Sequence, residues 1–166
     1  MKLHSIAAAI PFIVLPSLFA AGPAPKIFGA AQVQEVYRVV LDRDAMLPES
    51  INEAIKQKGI QDGHVMVTAG SVSECTYHYV TSTAAKPVDA FKTVKGPFEI
   101  LNAGGIVANG EAHIHMTLSS PKGAFGGHLE NGCRILYLGE VTIVKYAGPA
   151  LVRKKNGNGV ALLEAK

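Results

Sequence analysis

Glu111-Ala112-His113-Ile114-His115-Met116-Thr117-Leu118, followed after a turn by Gly126-Gly127-His128, carries the clearest strand signal in the chain. Polar and apolar residues alternate along it, and in a strand successive side chains point to opposite faces. His113, His115 and Thr117 therefore share one face, and Ile114, Met116 and Leu118 share the other. The apolar face is suited to a core, which leaves the histidine face for chemistry. A hairpin turn through Ser119-Ser120-Pro121-Lys122-Gly123 would return the chain and bring His128 over the same face. Three neutral imidazoles with one coordination position open form the ligand set of a catalytic-type zinc site. Alternating strand histidines are also found simply hydrogen-bonded to backbone or water, so both readings stand at this point.

Val33–Leu41 alternates as a strand and is closed by Asp42-Arg43-Asp44. Pro48 and Glu49 open a helix over residues 48–58, with Ile51 and Ile55 on one face, lysines in the last turn and Gly59 just beyond. Strands are expected at His64–Ala69, Glu74–Thr81, Val88–Val94, Phe98–Ala108, Glu111–Leu118 and Cys133–Val144. Glycines at 70, 96, 104, 105, 110, 123, 126, 127 and 132 are read as turns and bulges between and within them. Short strands at hairpin spacing with one main helix predict a single α+β domain, mostly antiparallel sheet. No Gly-rich phosphate loop leads into a helix, so nucleotide chemistry is not expected.

Residues 1–21 read as a secretory signal: Lys2 gives a positive start, Ile6 to Phe19 is almost wholly apolar, and Ala20-Ala21-Gly22 supplies small residues for cleavage. An uncleaved N-terminal anchor is the alternative. Pro11 and Pro16 interrupt the segment, which is short for a membrane span. Cleavage implies a periplasmic or secreted protein with no membrane attachment. Residues 22–32 form a flexible lead, 33–147 the domain, and 148–166 a C-terminal tail in which Arg153-Lys154-Lys155 is read as solvated. The formal net charge of +3 gives no argument for nucleic acid, which needs a concentrated basic face. Cys75 and Cys133 stand in a chain sent to an oxidising space; a disulfide and two buried thiols both remain open. His4, His64 and His78 show no clustering, and Tyr77-His78-Tyr79 reads as ordinary strand packing.

Taken together, Gly96-Pro97-Phe98-Glu99-Ile100-Leu101, Gly104-Gly105, the His113-Ile114-His115 run, Gly126-Gly127-His128, Cys133 and Glu140 resemble the PPC domain, the family conserved in plants and prokaryotes. The likeness also takes in Leu47–Ala54 and Gly70-Ser71-Val72, and covers Val36–Tyr146. It implies a compact α+β fold, assembly as a homotrimer, and a role in partner contact for residues 96–101, burying Phe98 and Ile100. It further implies a divalent metal, zinc by preference, at His113, His115 and His128, and a fold similar to that of zinc-dependent α-acetolactate decarboxylase. Plant members read A·T-rich minor grooves through Arg-Gly-Arg-Pro hooks. This sequence has none, so DNA association is only a second alternative.

The expected function is thus an exported, trimeric metal- or small-ligand-binding protein. The alternative is a metal-dependent lyase or hydrolase acting on a small carbonyl or carboxylate compound. There, Glu140 or Glu99 would move a proton and Arg134 would hold a carboxylate.

Overall fold

The computed structural model describes residues 22–166; the segment read as a signal, residues 1–21, lies outside the described residues. The elements run β1 (Gln32–Asp42), α1 (Leu47–Gln57), β2 (Asp62–Val80), β3 (Asp89–Ala108), β4 (Glu111–Ser120), β5 (Gly123–Leu129), β6 (Arg134–Ala147), β7 (Leu151–Lys155) and β8 (Ala161–Ala165). Six strands form one antiparallel sheet in the order β1-β6-β2-β3-β4-β5. β5 also pairs with the far end of β2, so β2, β3, β4 and β5 close into a ring. The expected α+β class with one helix holds among the described residues, and none of them form a helix long and apolar enough to cross a membrane.

α1 begins one residue before the expected position. Pro48 stands in its first turn, where its missing N–H costs nothing, and Gly59 follows at φ 58°. Leu47, Ile51 and Ile55 are buried to within 1% and face the sheet, while Glu49 accepts a hydrogen bond from the backbone N of Gly132 (3.0 Å). The core they join includes Val65, Val67, Val72, Val107, Leu118, Ile135 and Ile143. Burying each such side chain contributes roughly 1.5–3 kcal/mol.

Three expectations about the strands are corrected. His64–Ala69 and Glu74–Thr81 are one strand, β2, and Val88–Val94 and Phe98–Ala108 are one strand, β3. Gly70 (φ 154°) and Gly96 (φ 145°) bend these long strands instead of ending them, and a bulge between Val72 and Glu74 takes up the change of register. The C-terminal stretch read as a tail contains the β7–β8 hairpin. Its turn is organised by Asn156, whose Oδ1 accepts from the backbone N of Asn158 (2.9 Å) and Val160 (3.0 Å). This is the local hydrogen bonding that makes Asn and Gly turn residues.

Cys75 on β2 and Cys133 just before β6 are joined by a disulfide. The neighbouring residues Glu74 and Arg134 pair directly across these strands, which brings the two sulfurs together in the core. Denatured, unreduced protein is expected to show no free thiol from these residues on titration. Because the bridge closes a loop of 58 residues, its reduction should lower the unfolding free energy by about 4 kcal/mol. Two titratable thiols before reduction would contradict the pairing.

Candidate metal centre

β4 presents its two faces as alternation requires. Ile114, Met116 and Leu118 are buried, at 4%, 4% and 0% exposure, while His113 and His115 lie on the opposite face. β3 and β4 approach closely there. A Cβ on Gly105 would collide with the carbonyl of His113, so the glycine lets β4 lie against β3 where the histidines stand. After the Pro121-Lys122 turn, β5 returns with His115 opposite His128. On its other side, β5 sets His128 opposite His78 of β2, and the ladder continues with Glu130 N donating to Thr76 O (3.0 Å). Gly127 is required at this seam, because a Cβ there would run into the carbonyl of His78.

The result is a cluster of four imidazoles. His113 Nε2 lies 3.2 Å from His115 Nε2, and the ring of His128 stands edge-on to both, with centroids 4.4 Å from His113 and 5.3 Å from His115. One ring nitrogen from each of the three falls within 4.8 Å of the others. Two nitrogens on a tetrahedral zinc ion with bonds of about 2.05 Å are separated by about 3.3 Å, so the His113–His115 spacing suits a shared ion. The donor set is three imidazoles without a thiolate, the chemistry that suits zinc and other borderline divalent ions.

Burial, and then the nearby positive charge of Arg153, push the His113 imidazole down to about 4. Burial is likewise the main cause that lowers His128, with His78 next. Both rings are neutral at physiological pH, the state a metal ligand needs.

Residues beyond the expected trio complete the surroundings. His78 stacks on His128 with centroids 4.4 Å apart, and its Nδ1 donates to Glu130 Oε1 at 2.6 Å. His78, His128 and Glu130 form a second group with ligand atoms close enough to share an ion. A cavity of about 190 Å³ opens beside His128, Leu129 and Glu130 and against Pro48 and Asn52 of α1, room for only a small molecule. Sequence reading assigned His78 to packing and passed over Glu130, because the β2–β5 pairing that unites them links residues about fifty positions apart.

The other expected site residues lie elsewhere. Glu140 sits on β6 between Val40 of β1 and Ala69 of β2, and β6 pairs with neither histidine-bearing strand of the trio. Arg134 is exposed at the start of β6, donating to the carbonyl of Asp44 (3.5 Å) and paired in register with Glu74. Glu99 is exposed on β3 opposite Ser119. Among the described residues, none of the three hydrogen-bonds or ion-pairs with the imidazole cluster. Within 96–101, Ile100 is buried in its own chain, and Phe98 is half-buried and packs edge-on to Phe125 at 5.3 Å. Leu101, 57% exposed, is the large apolar residue there that remains available.

The metal-containing protein of Archaeoglobus fulgidus superposes with a TM-score of 0.73 at 26% identity, covering 84% of this chain and 99% of that one. A plant- and prokaryote-conserved protein of Pyrococcus horikoshii gives 0.72 at 22% identity over 84% and 97% of the two chains. A candidate DNA-binding protein of Bacteroides thetaiotaomicron gives 0.69 at 22% over 81% and 96%. The last two likenesses speak to the fold alone. α-Acetolactate decarboxylase of Bacillus subtilis is a weaker likeness, with a TM-score of 0.49 at 13% identity over 73% of this chain, and carries no argument. Among curated proteins, the bifunctional protein GlmU of a Synechococcus strain is 26% identical over 110 residues, and this chain spans only 16% of its length. The Plants and Prokaryotes Conserved (PCC) domain matches residues 28–147, from the lead through the end of β6, and the chain belongs to that family.

Proposed function

We propose that this chain is an exported metal-binding member of the PCC family that holds a divalent ion, zinc by preference, through His113, His115 and His128 and works as a homotrimer. The observation that carries the reading is the convergence of the three rings, with His113 and His115 Nε2 atoms 3.2 Å apart and both His113 and His128 neutral at physiological pH. The likeness to a metal-containing archaeal protein supports it. Export rests on the character of residues 1–21, and the trimer rests on the family resemblance.

A second reading is a metal-dependent lyase or hydrolase for a small carbonyl or carboxylate compound, favoured by the His78–Glu130 pair stacked on His128. When bound, a divalent ion supplies Lewis-acid polarisation of a substrate oxygen. The chain's own contribution is then His78, oriented through Nδ1 by Glu130, with its other ring nitrogen free to give or take a proton. His78, oriented by Glu130, thereby takes the proton-handling place expected of Glu140 or Glu99.

Metal content decides the main reading. Purified protein dialysed against zinc should retain one ion per chain, and His128→Ala should lower the affinity by about tenfold or more. Equal retention by the variant would overturn the three-histidine centre. Light scattering of protein lacking residues 1–21 should give three times the chain mass; a monomer at micromolar concentration would remove the trimer. The stability of the metal-free protein should also depend on pH. His113 and His128 both fall below the unfolded imidazole value, so the folded chain binds fewer protons than the unfolded chain between pH about 4 and 6.5. Stability is therefore lost as pH falls through that window, and urea midpoints at pH 5 and pH 7.5 should show the drop. His113→Gln should flatten it.

A further inference from the structure

The β7–β8 hairpin, residues 151–165, lies beyond the span that matches the family, yet it does not stand away from the molecule. β7 packs alongside β3, where Ile106 pairs directly with His113 of β4, and Leu151 shares a cavity wall with Ile106 and His64. At the far end, Lys166 Nζ donates to Asn109 Oδ1 in the β3–β4 turn (2.9 Å). The hairpin is itself tied by a Lys154–Glu164 ion pair at 3.3 Å. These contacts hold the hairpin over the end of β3 and β4 that carries the histidines.

Arg153 is the residue this strap delivers. It is half-buried, and its Nε is shielded from water with no hydrogen-bond partner. A buried guanidinium donor left unpaired is costly, and natural structures fill such a position with a ligand or a water. The carboxylate that acts on it is Glu111, but no ion pair between the two forms among the described residues. The positive charge of Arg153 is close enough to act on both His113 and His128. Three neutral imidazoles leave the two positive charges of a divalent ion uncompensated, and Arg153 adds another beside it. Such a concentration of positive charge calls for an anion that touches both.

We propose that Arg153 and the ion held by His113, His115 and His128 form the two jaws of an oxyanion clamp, and that the ligand of this centre is a small carboxylate or phosphate. The inference rests on the three-histidine reading and specifies its ligand class. A planar guanidinium fork and a metal with one open position both bind oxygen anions, and the fork adds directional selectivity over a spherical halide.

The test uses the full-length protein loaded with cobalt(II), whose visible absorption changes when a fourth ligand binds. Metal content is measured first, then titrations with acetate, inorganic phosphate and chloride are read from the spectrum. The wild-type chain should saturate with acetate or phosphate well before chloride, and which of the two binds tighter identifies the oxyanion. Arg153→Gln should keep its cobalt and lose about tenfold or more in oxyanion affinity, equivalent to about 1.4 kcal/mol, with chloride unchanged. Arg153→Lys, which keeps the charge without the fork, should fall between. Unchanged oxyanion affinity in Arg153→Gln, or chloride binding as tightly as the oxyanions, overturns the clamp and leaves the metal centre standing. Failure of the wild type to take up cobalt overturns both.

Discussion

The double pairing of β5 holds both the sheet and the histidine cluster together. One edge of this seven-residue strand pairs with β4 and the other reaches β2, so His128 faces His115 on one side and His78 on the other. Both contacts need glycine at the seam, since a Cβ at Gly127 would meet the His78 carbonyl of β2 and one at Gly126 the Met116 carbonyl of β4. The seam closes the ring of strands, and the same closure assembles the imidazole cluster. Fold and site thus share one cause: the backbone hydrogen bonds that hold the ring together also fix the separation of the ring nitrogens.

Burial then sets the chemistry. The histidines stand on the face of β4 and β5 away from the core, stacked against one another, and desolvation is the leading reason His113 and His128 are neutral. Neutral imidazoles packed edge to edge offer lone pairs with few donors to satisfy them, an arrangement a divalent cation completes. Around that centre the protein places unlike neighbours. On the β2 side stands the His78–Glu130 pair, able to carry a proton; on the β3 side stands Arg153, able to hold an anion. Centre, proton carrier and cation lie on elements widely separated in sequence.

How much of this was legible in the sequence follows from the range of each interaction. The strict alternation of Glu111–Leu118 identified both faces of β4, and Pro48, Glu49 and Gly59 identified the helix, because those signals are local. His113, His115 and His128 could be grouped because a single hairpin relates them. His78, Glu130 and Arg153 could not, since each reaches the cluster through a pairing or packing contact between distant segments. Gly70 and Gly96 look the same in sequence whether they end a strand or bend one, and here they bend it. The basic run at Arg153 has the composition of a solvated tail, and only the Asn156 turn hints that it folds back on itself.

The most direct test of the central claim is X-ray absorption at the zinc edge of the metal-loaded protein, read for the number and kind of first-shell ligands. Three imidazole nitrogens at about 2.0–2.1 Å are expected with their outer-ring scattering, completed by an oxygen ligand that adds no ring scattering. A shell with one imidazole or none, or one identical in wild type and His128→Ala, would contradict it.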